Sequence, residues 1–221
     1  MKFDYVPAVD LGDPLTKRLG SYPRVPDLTW DTLRLCGSWL AVTLLRLQYR
    51  LTVKGQIPTG DRIAIVANHQ SHLDTITLLA AIPAKIRHQI VVLAAAADYF
   101  FDKINRALAA SLLCQAVAFD RLSVMELKQW RSRLKAATSG WILFYHSGSR
   151  KSCQLQRGLL KILLKEGWTI VPAHLAGTKA AWSIEARWWK PFQHLKVTFG
   201  EPYQGNDLDL LITQLKQDLF L

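Results

Sequence analysis

The chain has 221 residues, half of them apolar and a fifth charged, which suits one domain with a substantial core and excludes intrinsic disorder. Against 28 Lys and Arg stand 17 Asp and Glu, a net charge of +11 that implies an anionic partner: nucleic acid, a membrane surface or a phosphorylated ligand. The surplus is local, because residues 121–196 carry 14 bases and 3 acids while residues 197–221 carry 1 and 4.

In chain order, residues 1–27 are rich in Pro, Gly and Asp and read as an irregular arm. The N-terminal MKFDYVPAVDLGDP has acids and prolines where a signal peptide needs an apolar run, so no such signal is expected. Asp27 or Thr29 can cap a helix running through LTWDTLRLCGSWLAVTLLRLQYRL. Leu33, Leu40, Leu44 and Leu47 give it an apolar face, which Trp30, Leu35, Trp39, Val42 and Leu45 widen. Arg34, Arg46, Arg50 and Lys54 flank that face. Two readings stand: a helix buried against the domain, or one lying in a membrane interface with Trp and Arg at headgroup level. The longest uncharged runs, Ala107–Phe119 and Leu35–Leu45, are far shorter than the ~20 apolar residues of a spanning helix.

The period then changes. RIAIVAN reads as a central strand, SHLDTITLLAAIP as a helix, IVVLAAAA as a strand and DYFFDKINRALAASLL as a helix. QAVAF is a short strand and VMELKQWRSRLKAAT an amphipathic helix with Leu127, Trp130, Leu134 and Ala137 on one face. WILFYH, TIVPAHL and HLKVTFGEPY complete six strands, with helices at LQRGLLKILLKEG and LDLLITQLKQDLF. Strands alternating with helices predict an α/β fold, a mixed, largely parallel sheet flanked by helices. Cys36, Cys114 and Cys153 are too few and too scattered for a disulfide framework or a zinc knuckle.

Open α/β sheets bind ligands beyond the C-terminal ends of their strands, and polar residues gather there in three places. The first is Asn68-His69-Gln70-Ser71-His72-Leu73-Asp74, the second Phe119-Asp120-Arg121, the third Tyr145-His146-Ser147-Gly148-Ser149-Arg150-Lys151. His69 with a carboxylate five positions on can form a His–Asp pair that removes a proton from a hydroxyl. Ser71-x-x-Asp74 is equally a helix capping box. His69, His72 and Asp74, with His146 or His174, match no established zinc spacing, so no metal is expected. In the third cluster Gly148 permits close approach, Ser147 and Ser149 donate, and Arg150 suits a phosphate; an ordinary solvated turn is the alternative. Trp182, Trp188, Trp189 and Phe192 among Arg187, Lys190 and Lys196 suit a headgroup interface or a core.

Taken together and in order, these blocks resemble the glycerolipid acyltransferases, the lysophosphatidate acyltransferase type. AIVANHQSHLD resembles that family's Asn-His-x4-Asp, VKGQIP its lead-in, AVAFDR its second block and SGSR its third, while LQRG and TIVPAHLAGT, through Gly158, Val171 and Pro172, resemble the later ones. The resemblance spans roughly residues 53–203. It implies that His69 is the general base oriented by Asp74, and that the acceptor hydroxyl attacks an acyl thioester of coenzyme A or acyl-carrier protein. It also implies that Asn68, Asp120, Arg121, Ser147, Gly148, Ser149 and Arg150 bind substrate, with no metal or cofactor. The family often has a helical element resting on the membrane, which favours the interfacial reading. The resulting division is residues 1–52 as arm and membrane-associating N-terminal helical element, and 53–221 as the acyltransferase domain. The implied partners are a lipid acceptor, an acyl thioester and an anionic membrane surface, with no nucleic acid. The implied location is the cytoplasmic face of a membrane, without a transmembrane span.

The departures are as informative. Tyr145-His146-Ser147-Gly148 stands where the third block usually has Phe-Pro-Glu-Gly, and no acid lies within residues 127–165. That form resembles the Ser-Gly-Gly-Arg variant of soluble plastid-type glycerol-3-phosphate acyltransferases. Lysophosphatidate is the default acceptor, with glycerol 3-phosphate or a non-phosphate lipid hydroxyl as alternatives. A lipid hydrolase using His69 with Ser147, a nucleic-acid-binding module and an inactive relative are the competing readings.

Overall fold

The computed structural model describes residues 12–22, 24, 27–95, 100, 103–120, 123–147, 155–183 and 185–219. These form α1 (Leu15–Gly20), α2 (Leu28–Gln48), β1 (Arg50–Lys54), β2 (Arg62–Ala67), α3 (Asp74–Ala81), α4 (Ala84–Arg87) and β3 (Ile90–Ala95). They continue as α5 (Ile104–Leu108) with a π-helical turn Ala109–Leu113, β4 (Ala116–Phe119), α6 (Val124–Ala136), β5 (Gly140–Tyr145) and α7 (Arg157–Lys165). The last elements are β6 (Thr169–Ala176), α8 (Thr178–Ala181), β7 (His194–Phe199) and α9 (Leu208–Leu219).

Within the described residues, one seven-stranded sheet has the order β1-β7-β6-β2-β5-β3-β4. Strands β2 to β6 run parallel, β7 runs antiparallel to β6, and β1 pairs parallel with β7. The sheet is therefore mixed and largely parallel. Its central strands are apolar on both faces because helices cover both. Ile63, Ile65, Trp141, Leu143 and Tyr145 face the layer that holds α2 and α3. Ala64, Val66, Ile142 and Phe144 face α6, α7 and α9, through Trp130, Leu159, Leu163 and Leu211.

Three features differ from the sequence expectation. Arg50–Lys54 is an edge strand rather than a lead-in; it is mostly exposed, and its partner β7 lies far along the chain, starting at the pair Arg50↔His194. The N-terminal arm contains α1, whose Leu19 is fully buried. The helix expected up to Leu113 ends in a π turn packed against α2. There Gly37 is required, since a Cβ would stand 2.7 Å from the Leu112 carbonyl oxygen.

That close approach decides which side of α2 faces inward. Asp27 caps the helix, its carboxylate accepting from the Thr29 and Trp30 N–H groups. The buried side consists of Arg34, Ser38, Ala41, Val42 and Leu45. The Arg34 guanidinium donates to Asp31 and to Ser111 Oγ, and so is satisfied inside. Leu33, Leu35, Trp39, Leu40, Leu44 and Leu47 are all exposed. The broad leucine face thus points away from the domain. Among the described residues, no helix is long and apolar enough to cross a membrane.

The second core centres on Trp130, which is 0% exposed, stacks on Tyr22 at 5.0 Å and meets Phe119 edge-on at 5.8 Å. Trp130→Ala is expected to lower the unfolding free energy by about 3–5 kcal/mol, read as a shifted urea midpoint at equilibrium.

Candidate active site

Strand β2 sits between β5 and β6, so its C-terminal end opens onto the middle of the sheet. Just beyond it, the Asn68 side chain prolongs the ladder to β6: its Nδ2 donates to the Leu175 carbonyl at 3.0 Å and its Oδ1 accepts from the Leu175 N–H at 2.7 Å. With both ends of its amide so engaged and its side chain buried, Asn68 fixes where the chain leaves the sheet. His69 comes next.

The imidazole is held on an edge and on a face. His69 Nδ1 lies 2.8 Å from Asp74 Oδ2, and the ring stacks on Tyr145 with centroids 3.8 Å apart and planes 12° from parallel. The Tyr145 hydroxyl in turn meets Thr75 Oγ1 at 2.5 Å. The same Asp74 Oδ2 accepts from the backbone N–H groups of Gln70 at 2.7 Å and Ser71 at 2.8 Å. An oxygen surrounded by N–H donors acts as an acceptor, so the assignment consistent with the network puts hydrogen on Nδ1 and leaves the Nε2 lone pair free. Asp74 is 0% exposed and the His69 side chain 15% exposed. A substrate can therefore touch the imidazole and not the carboxylate.

The capping and catalytic readings of Asp74 describe the same oxygen. The carboxylate ties down the residues before α3, as a capping residue does, and in doing so presents an acceptor to His69. Ser71 plays a different part from the box: its Oγ accepts from the Leu73 N–H and donates to the Trp182 carbonyl at 2.6 Å. His72 is exposed, its ring 5.1 Å from that of Trp182, and takes no part in the His69–Asp74 contact.

The third cluster arrives on the neighbouring strand. Ala67 and Tyr145 are register partners, and the His146 N–H donates to the Ala67 carbonyl at 2.9 Å. Gln156 braces the turn: its N–H donates to the His146 carbonyl at 2.8 Å and its Nε2 to the Tyr145 carbonyl at 3.3 Å. His146 and Ser147 are buried. Burial, and then the neighbouring His69, push the His146 imidazole down to about 4. His146 is thus neutral at physiological pH.

The remaining candidates are more distant or lie outside the described residues. Asp120 closes β4 at the same end of the sheet, three strands from β2 and hence roughly 14 Å away. Arg121, Gly148, Ser149 and Arg150 lie outside the described residues. Among the described residues no three His, Cys, Asp or Glu side chains are grouped to hold a metal ion. Tyr145, Thr75 and Gln156 received no role from the sequence. The one available signal was the position of Tyr145 at the end of a strand, as the first residue of the third cluster.

A family model described as Acyltransferase matches residues 50–176, more than half of the chain. The fold is similar to the crystal structure of PlsC, the 1-acyl-sn-glycerophosphate (LPA) acyltransferase from Thermotoga maritima, with a TM-score of 0.62 and 19% identity over 85% of this chain and 75% of that one. No curated protein sequence matches the chain.

The depressed His146 value sets a pH dependence. Between the ordinary histidine value of about 6.5 and about 4, the unfolded chain binds a proton at this residue and the folded one does not, so stability falls as pH falls through that window. Replacing the imidazole by an uncharged ring, His146→Phe, is expected to flatten urea midpoints between pH 6.5 and 4 relative to the native chain. An unchanged slope would assign the dependence to other groups.

Proposed function

Because this chain belongs to the acyltransferase family, we propose that it moves a fatty acyl group from a thioester, carried on coenzyme A or acyl-carrier protein, to a lysophospholipid hydroxyl. The default acceptor is 1-acylglycerol 3-phosphate and the product phosphatidate. The observation that carries the reading is His69, with its Nδ1 held by Asp74 and its ring face held by Tyr145.

In this reading Nε2 of His69 removes the proton from the acceptor hydroxyl as its oxygen attacks the thioester carbonyl carbon. The C–S bond then breaks, and the departing thiolate takes the proton back from Nε2. Asp74 keeps Nδ1–H in place and faces the imidazolium while it exists. The Tyr145–Thr75 contact keeps the ring from turning out of line, which matters because misplacement by about 1 Å costs rate steeply. The route needs no bound cofactor or metal. The basic excess of residues 121–196 supports an acceptor that bears phosphate, with Arg121 and Arg150 as its proposed contacts.

The outward leucine face of α2 supports work at a membrane surface. Between Arg34, which is turned inward, and Arg46, α2 carries no charge, and Arg46, Arg50 and Lys54 follow at its end. An apolar face with flanking bases lies in a bilayer interface without crossing it. We place the protein on the cytoplasmic face of a membrane, peripherally bound.

The test incubates purified protein with a labelled acyl thioester and a panel of lysophosphatidate, other lysolipids and glycerol 3-phosphate. Labelled phosphatidate is expected. His69→Ala and Asp74→Asn are each expected to lower kcat by about 10²–10⁴-fold while the variants stay folded by urea denaturation. Acylation of no acceptor, or a wild-type rate in His69→Ala, would overturn the proposal.

A further inference from the structure

A second apolar surface adjoins the end of α2. The loop between α8 and β7 carries Arg187, Trp188, Trp189, Lys190 and Phe192, and Trp188 is 67% exposed, Trp189 45% and Phe192 82%. Clustered exposed aromatics of this size mark an interaction surface. The loop is stitched to its surroundings: the Lys190 N–H donates to the Ala181 carbonyl at 2.7 Å, the Phe192 N–H to the Gln48 carbonyl at 2.8 Å, and Trp182 Nε1 to the Ala186 carbonyl at 3.2 Å. The bond to Gln48 sets Phe192 beside the last turn of α2, where Leu44 and Leu47 are exposed.

Phe192 has φ of +62°, a left-handed conformation that a bulky residue adopts only under constraint. The strain holds a phenyl ring in water, where it adds nothing to the stability of the fold. Bases accompany the rings: the Arg187 guanidinium lies over the Trp188 ring at 5.5 Å, and Lys190 and Lys179 are exposed, with Glu185 the acid nearby. Indoles that are apolar in body and polar at the tip, beside an apolar phenyl ring and interleaved with bases, match the headgroup layer of an anionic bilayer.

The loop also reaches the catalytic residues. The Trp182 carbonyl accepts from Ser71 Oγ, and the Ser71 N–H is one of the donors to Asp74. Ring contacts run from His72 to Trp182 at 5.1 Å and on to Trp189 at 5.7 Å.

We propose that residues 187–192 are a docking loop for an anionic phospholipid bilayer. Trp188 and Phe192 enter the boundary between headgroups and acyl chains, and Arg187 and Lys190 meet lipid phosphates. The bond between Ser71 and Trp182 keeps the mouth of the His69 site at that surface. The inference rests on the membrane-surface reading above and extends it to a segment remote in sequence from α2.

The experiment is co-sedimentation of the full chain with vesicles of phosphatidylcholine alone or mixed with phosphatidylglycerol, beside turnover on a short-chain acceptor that is monomeric in water. The wild type is expected to prefer the mixed vesicles. Trp188→Ser with Phe192→Asn should weaken partitioning at least about tenfold. Arg187→Gln with Lys190→Gln should remove about 30-fold of the binding to mixed vesicles and leave binding to phosphatidylcholine unchanged. Turnover on the monomeric acceptor should not move. Phe192→Asn alone should raise the urea midpoint, because Asn tolerates positive φ, which separates lost docking from lost folding. If the loop variants bind as wild type while Leu40→Ser with Leu44→Ser does not, the loop proposal falls and the membrane-surface reading stands. Equal loss of turnover on the monomeric acceptor would make the loop part of the active site and also overturn it. A wild type that binds neither vesicle would overturn both.

Discussion

The site is organised by one oxygen. Asp74 Oδ2 accepts from His69 Nδ1 and from the backbone N–H groups of Gln70 and Ser71, all within 2.8 Å. A carboxylate with no exposed surface is costly unless donors surround it, and these donors come from the residues that must be ordered for His69 to point correctly. At the start of α3 the free N–H groups of the helix favour the same negative charge. The requirement to satisfy a buried charge and the requirement to orient the imidazole are met by one arrangement, which removes most of the loop's freedom.

That arrangement depends on its place in the sheet. β2 has parallel neighbours on both sides, so the segment leaving its C-terminal end is bounded by β5 on one flank and β6 on the other. Asn68 is clamped to β6 and His69 is stacked on the last residue of β5. The alternation along β5 turns Tyr145 to the same layer as α3, within reach of Thr75, while Phe144 faces the opposite core. A shift of one residue in the β2–β5 register would turn Tyr145 away from His69.

The charge and the apolar surface divide the outside of the molecule between them. α2 turns Arg34, Ser38, Ala41, Val42 and Leu45 inward and Leu33, Leu35, Leu40, Leu44 and Leu47 outward, so most of its leucines face away from the domain, unlike those of an ordinary surface helix. The inward Arg34 is tolerated because Asp31 and Ser111 receive its donors. A chain with this much exposed leucine and tryptophan and a surplus of bases is suited to a surface that is apolar below and anionic above. The same surplus without the apolar face would suit nucleic acid as well.

Local patterns in the chain are enough to specify the strand at RIAIVA, the helix capped by Asp27, and the pairing of His69 with Asp74 at a spacing one loop can close. Each of these rests on residues a few positions apart, so period and spacing suffice to read them. Features that depend on distant partners were settled by the tertiary fold. β1 exists because β7 is there to pair with it, and the leucine face of α2 turns outward because Gly37, Ser38 and Ala41 permit the closer contact with the turn at Leu112. Tyr145 gains its role only when β5 is set beside β2, and Phe192 takes its strained conformation only where its N–H meets Gln48. A hydrophobic pattern marks which residues leave water. It does not choose between the domain and a bilayer as the place they go, since both remove the same apolar area.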